Sequence, residues 1–361
     1  MVTSARRPDH KTRNAMRLTA SYFSSAGLLA IVALSVAVLP ATGQTPAQAP
    51  SQAMPSSKQG WVAPRTADGH PDLQGTWSNA TNKPIERPKE LGAKEFYTEE
   101  EFAVVSKQWY LGERNARPEA HYDFAQFGMD GMQANFASNL RTSIVTGPEG
   151  RIPPLTPEAQ KRISERAAKA KGHEFDGPQN RGLMERCLVY GQLEGPPMLP
   201  PMYNNNMEIV QAPGWVAILN EMYHDTRLIP VDRSAASRPH IESGIRQWRG
   251  DSRGRWEGDT LVVETTNFTD KTPFFGSSEK LRVTERFTRT GPQTIVYQFT
   301  VEDPATWIKP WSGELVMGPA QGDIYEFACH EGNYGLANNL SGARAEEQRA
   351  AEASKTEQRS K

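Results

Sequence analysis

The chain has 361 residues, with 41 Lys and Arg against 42 Asp and Glu and a formal net charge of −1. That balance leaves no net field to gather nucleic acid or an anionic membrane surface, so neither is expected as a partner. Hydrophobic residues make up 37% of the chain and aromatic residues 9%, enough to bury a core, while two cysteines are too few for a small disulfide-built scaffold.

The N-terminal residues read as an export signal. Arg6, Arg7, Lys11, Arg13 and Arg17 precede an apolar run over residues 26–39, and Ala41-Thr42-Gly43 places small residues where a signal peptidase reads them. The run is about 14 residues, short of the roughly 20 a membrane-spanning helix needs. No basic stop-transfer cluster follows it, and no cysteine lies nearby for lipid attachment. Residues 1–43 are therefore expected to be a cleaved signal peptide, with Met16 as an alternative start. The mature protein is then periplasmic or secreted, without a stable membrane anchor; an uncleaved signal anchor is the competing reading. Residues 44–60, rich in Gln, Pro, Ala and Ser without periodicity, read as a flexible leader. A single β-rich domain is expected over 61–341, with a helical N-terminal third, and a disordered or frayed-helical tail over 342–361.

Within the domain, residues 73–78 read as a strand. Thr98 followed by Glu101 forms a capping box, and Phe102, Val105 and Trp109 recur at helical spacing, predicting a helix near 98–110. A second helix is predicted over 157–171: Thr156 is its N-cap, Pro157 its first residue, Lys169 and Lys171 lie in its last turn, and Gly172 stops it. From residue 207 the pattern changes to short alternating runs divided by Gly, Pro, Asn and Asp. Residues 207–212 and 215–222 flank Pro213-Gly214, the pair expected at the centre of a type II turn. Further strands are predicted over 227–231, 245–249, 260–268, 281–288, 294–301, 311–316 and 324–329. The stretch Arg249 to Gly254 reads as a loop with a short hairpin, and Trp256 to Asp259 as a turn. Connections this short suit antiparallel neighbours. The fold class is mainly β: an antiparallel meander of about eight strands closing into a barrel-like or curled sandwich fold, with two peripheral helices.

Two resemblances add to this. Gly75-Thr76-Trp77 is similar to the Gly-x-Trp at the start of lipocalin-like barrels, where the Trp closes the barrel floor. The segments HDTRLIPVD, GDSRGRWEGDTLVVETTNF, VEDPATW and YEFACHEGNYGLANNLSGARAEE, with DGHPDLQGTW, GRIPPLTPEAQKR and NRGLMERC, resemble a large family of exported bacterial proteins abundant in acidobacteria and proteobacteria. The resemblance covers nearly all of the mature chain. It implies export and a common architecture, and places Arg186, Cys187, His224, Arg227, Trp256, Glu257, Asp259, Cys329, His330 and Glu331 in the shared pattern. It assigns no catalytic role.

The polar positions suggest chemistry of their own. In a strand side chains alternate, so Glu285 shares the apolar face of Leu281, Val283 and Phe287, and Glu264 shares a face with Val262, Thr266 and Phe268. A buried carboxylate suits a general acid; the alternative is an ion pair with an arginine. Tyr223, His224 and Arg227 lie where one predicted strand ends and the next begins, and His330-Glu331 follows the last, so these side chains suit a ligand at a barrel mouth. Capping of backbone groups is the structural alternative. Trp307 and Trp311, separated by Pro310, form a candidate exposed aromatic rim among the eight tryptophans. Cys187 and Cys329 are expected to be bridged in an oxidising compartment, with a thiol at Cys329 activated by His330 as the alternative. The seven histidines are scattered without metal-ligand spacing, and neither a phosphate loop nor a nucleophile elbow occurs, so no metal or cofactor is expected. The leading expectation is an exported protein that holds a small apolar or aromatic molecule inside the barrel. The alternatives are a cofactor-independent hydrolase, lyase or isomerase using His224, His330, Glu285 or Glu264 with Arg227, and a structural or interaction protein of the envelope.

Overall fold

The switch from helical to alternating periodicity from residue 207 marks where most of the chain's sheet is formed. The computed structural model describes residues 61–115, 139–190, 195–201, 203–232, 239–271 and 274–360; the expected signal peptide and leader lie outside the described residues. Strands β1 (Gly75–Ser78), β2 (Asn206–Ala212), β3 (Trp215–Asn220), β4 (Asp225–Asp232), β5 (Asp251–Glu257), β6 (Thr260–Thr266), β7 (Arg282–Gly291), β8 (Thr294–Glu302) and β9 (Trp311–Pro319) form a closed barrel in sequential order. The early strand β1 closes it, pairing β2 on one side and β9 on the other through Trp77↔Pro319 and Ser78↔Gly318. The expected barrel is therefore present, with nine strands among the described residues. All its pairings are antiparallel except β4–β5, which run parallel and pair, among the described residues, at Val231↔Gly254 and Asp232↔Arg255.

Alternation decides what fills the barrel. Trp77, Met207, Ile209, Val216, Ile218, Ile229, Val231, Leu261, Val263, Val283, Phe287, Ile295, Tyr297, Phe299, Leu315 and Met317 are all buried in one apolar cluster. Met198 and Leu199, from the proline-rich segment before β2, join it. A side chain at Gly313 would run into Phe299, its Cβ 2.2 Å from the ring, so the glycine makes room for the aromatic. The interior is thus occupied by side chains.

The turns follow their sequence signals. Gly214 has φ +80° between β2 and β3, as the second central residue of a type II turn requires, and Gly258 has φ +58° in the turn from β5 to β6. Helix α1 (Glu99–Asn115) starts with the predicted reciprocal cap: Glu101 N–H donates to Thr98 Oγ1 at 3.2 Å and Thr98 N–H to Glu101 Oε2 at 2.8 Å. Helix α2 (Pro157–Ala170) is capped by Thr156 Oγ1, which accepts from Ala159 N–H at 3.1 Å. A third helix, α3 (Tyr334–Arg359), has no buried residue. No described helix is long and apolar enough to cross a membrane.

Three expectations about strands are corrected. Residues 324–329 form no strand, because the segment is tied to the fold by a disulfide and an aromatic contact rather than by a sheet edge. Residues 245–249 form no strand either; Gln247 makes a single bridge to Phe268. Asp251 to Glu257, expected as loop and turn, is strand β5. Its inward positions are Ser252, Gly254 and Trp256 and its outward ones are charged, so apolar alternation never reveals it. Gly254 is needed there, since a Cβ would lie 2.9 Å from Val231.

Candidate functional site

The candidate site lies beside the parallel pair. β4 and β5 pair in the ladder at Val231↔Gly254 and Asp232↔Arg255, at the C-terminal end of β4, and residues 225–228 and 251–252 line a cleft beside that pairing. The chain returning from β4 to β5 borders it. That return is fixed by Asn267, whose Nδ2 donates to the carbonyls of Ile241, Glu242 and Ile245 at 3.0 to 3.2 Å. Asn267 holds φ +59°, a conformation asparagine tolerates better than most residues. The result is a cleft of about 680 Å³. β4 contributes Asp225, Thr226, Arg227 and Leu228; the return segment contributes Arg246, Gln247, Trp248, Arg249 and Gly250; Asp251 and Ser252 open β5, and Leu188, Val189, Tyr223 and His224 complete the rim.

Arg227 forms the floor. It is an inward-facing β4 residue with a side chain only 4% exposed. Its Nη1 donates to Glu285 Oε1 at 3.1 Å and its Nη2 to Glu285 Oε2 at 2.6 Å, while Nη2 also reaches Ser252 Oγ at 3.2 Å. Tyr297 OH donates to Glu285 Oε1 at 2.8 Å and accepts from Met198 N–H at 2.8 Å. Ser252 and Thr265 hydroxyls share a 2.9 Å hydrogen bond. Burial works against the charge on Arg227, but the Glu285 carboxylate and its hydrogen bonds raise the guanidinium above its ordinary pKa. Burial, reinforced by the Glu285 charge, holds the Tyr297 phenol well above its usual range, so it serves as a neutral donor. Of the two readings of Glu285, the ion pair is the one formed.

The rim is built by the disulfide region. Cys187 and Cys329 are bonded. Next to Cys187, Leu188 and Val189 line the cleft, while Tyr223 stacks on Phe327 with centroids 5.0 Å apart and donates from its hydroxyl to Met184 O at 2.8 Å. Tyr223 and His224 both occupy the left-handed region, with φ +58° and +50°. Residues so placed are conformationally costly and persist where neighbours hold them.

Several candidates lie elsewhere. Glu285 is behind Arg227 rather than in the cleft lining. Glu264 faces outward from β6, half-buried, ion-paired to Arg255 at 2.7 Å and to Arg282 at 3.6 Å. Trp307 and Trp311, expected at an exposed rim, are 3% and 5% exposed and pack edge-to-face in the core. His330 and Glu331 are exposed beside the disulfide and are not among the cleft residues. The cleft therefore gathers Tyr223, His224 and Arg227 from the expected set. It adds Arg246, Trp248, Arg249 and Ser252, which strand periodicity could not single out. Asp251 and Ser252, neighbours in sequence, point to opposite faces: Asp251 Oδ2 accepts from His240 Nδ1–H across 2.7 Å on the outside, and Ser252 turns inward to Arg227. They make no nucleophilic triad. Among the described residues no group of three His, Cys, Asp or Glu could hold a metal ion.

No protein-family model, curated protein or solved structure matches this chain.

Proposed function

We propose that this is an exported protein that binds a small molecule in the cleft between β4 and β5. The observation that carries the reading is the cleft itself: about 680 Å³, with a buried, hydrogen-bonded arginine at its floor. That volume lies within the roughly 300 to 1,000 Å³ typical of small-molecule sites, and a polar group held in place, as Arg227 is by Glu285 and Ser252, is what such sites use for orientation. The wall position replaces the barrel interior, which side chains fill. Export rests on the N-terminal signal pattern, on the resemblance to exported bacterial proteins and on the disulfide, which an oxidising compartment maintains. The acid–base set of the enzyme reading is spread over the inside, the outside and the disulfide edge of the barrel, which leaves binding the better supported reading.

The test is a thermal-shift screen of small metabolites on the mature chain, since a ligand of the folded state alone raises the melting temperature. Thr226, exposed on β4 and part of the lining, is replaced by Trp to fill the cleft. Hits whose shift disappears in Thr226→Trp support the reading. A full screen without a hit, or hits indifferent to that substitution, refutes it.

A further inference from the structure

The charges around the cleft are not symmetrical in how they are engaged. Three guanidinium groups, from Arg227, Arg246 and Arg249, meet two carboxylates, Asp225 and Asp251. Asp251 is fully occupied from outside: by His240 Nδ1 at 2.7 Å, Ile241 N–H at 3.2 Å and Arg253 Nη1 at 2.8 Å. Asp225 is taken by Arg249 Nε. Among the described residues Arg246, by contrast, meets a carboxylate loosely, at 3.6 Å from exposed Glu279, beside one hydrogen bond to the Glu279 carbonyl at 2.9 Å. Buried Arg227 spends both terminal nitrogens on Glu285 and Ser252, and its Nε–H has no acceptor in the described structure. The donors exceed the acceptors. A cation would meet carboxylates already covered, whereas an anion would meet guanidinium groups held in place by their partners, the arrangement that favours planar oxyanions. Trp248 and Leu228, 39% and 64% exposed, offer apolar surface beside them.

We propose that the cleft takes a small organic anion, a carboxylate or phosphate ester carrying a flat or branched apolar body. This rests on the binding reading above and adds the sign of the ligand's charge. The anion sits against Arg246 and the floor formed by Arg227, and its body lies on Trp248 and Leu228.

Calorimetric titration of the mature chain with four probes of similar shape tests it: phenylacetate, phenyl phosphate, phenylacetamide and phenethylamine. At least one anion is expected to bind tenfold or more tightly than the amide and the amine. Its dissociation constant should rise with ionic strength, as screening requires. It should also rise about tenfold in Arg246→Gln, a substitution at a solvent-facing residue that leaves the unliganded melting temperature in place. Phenylacetate against phenyl phosphate tells the two oxyanions apart. Amide or amine binding as tight as the anions, and lost in Thr226→Trp, overturns the anion inference while leaving the cleft a binding site. If none of the four binds, the charge of the cleft-dependent hits from the metabolite screen decides: anionic hits support the inference, and neutral or cationic hits overturn it. A screen with no cleft-dependent hit removes the binding reading and the inference with it.

Discussion

Both oxygens of Glu285 are spoken for at 0% side-chain exposure, Oε1 by Arg227 and Tyr297 and Oε2 by Arg227. Such a pair gains little over well-packed apolar side chains, but removing one partner leaves a charge stranded away from water. Glu285→Gln should therefore destabilise the fold by about 3 to 5 kcal/mol in urea unfolding. The combined change Arg227→Met and Glu285→Leu should recover most of that loss. A single substitution as mild as the double would show that the pair is solvated after all. Lys83 presents the opposite case. It is 8% exposed, donates to Asn139 Oδ1 at 2.7 Å, and burial pulls its pKa down to about 8, with Arg141 adding to the effect and Glu314 opposing it. Because the folded state releases this proton at lower pH than the unfolded chain, the unfolded state binds more protons between about pH 8 and 10.5 and stability from this group rises across that window. Relative to Lys83→Met, the parent protein should gain on the order of 3 kcal/mol between pH 7 and pH 10.5. Paired urea titrations at the two pH values measure it, and parallel behaviour of the two proteins would contradict it.

The cleft belongs to elements rather than to single residues: it is lined by β4, by residues 246–250 leading into β5, and by the start of β5, the strand that pairs with β4 in parallel. Asn267 pins the chain returning from β4 by three carbonyl contacts from one amide nitrogen. Asn267→Ala removes them and places a residue with less tolerance for positive φ at that position. Backbone amides over 239–250 should then exchange with deuterium much faster while β7 and β8 keep their protection, and the ligand should bind more weakly. Uniform acceleration over the barrel would mean that Asn267 serves the core instead. The same elements show what sequence could and could not tell. Hairpins announce themselves locally, so Pro213-Gly214 and the alternation of β7 to β9 place strands and turns closely. The capping residues Thr98 and Thr156 do the same for helices. β5 is hidden because inward Ser252 and Gly254 are chosen by what lies beside them on the neighbouring strand β4, Arg227 and Val231, and not by hydrophobicity. Glu285 reads correctly as inward, yet its partner lies 58 residues away in another strand, a distance no local pattern spans. Trp307 and Trp311 fail as a rim for a similar reason, since their burial depends on Phe274 and Phe299 folding over them.

At the scale of the molecule the disulfide decides how much of the chain is held as one loop. Cys187 and Cys329 are 142 residues apart, and the loop they close contains β2 to β9 but leaves β1 outside. Constraining the unfolded chain over that length contributes at most about 5 kcal/mol in the chain-entropy account, with smaller values common where the ends can detach. The ends are held without sheet: residues 182–190 and 321–333 contain no strand, and beyond the disulfide they are tied by contacts such as the rings of Tyr223 with Phe327 and with Tyr190, buried Val189, and hydrogen bonds such as Asn333 Nδ2 to Glu185 O at 3.1 Å. Cys187→Ser with Cys329→Ser should therefore keep the β-sheet circular dichroism and lose stability by less than the full entropic value. Exchange should accelerate first over 182–190 and 321–333, and binding should weaken because Leu188, Val189 and Tyr223 lose their support. The parent chain without residues 1–43, made in a reducing cytoplasm, should behave like this variant until it is oxidised. Equal stability and equal exchange in the two proteins would show that packing alone holds the rim; loss of the sheet signal would show that the barrel cannot close without the bond.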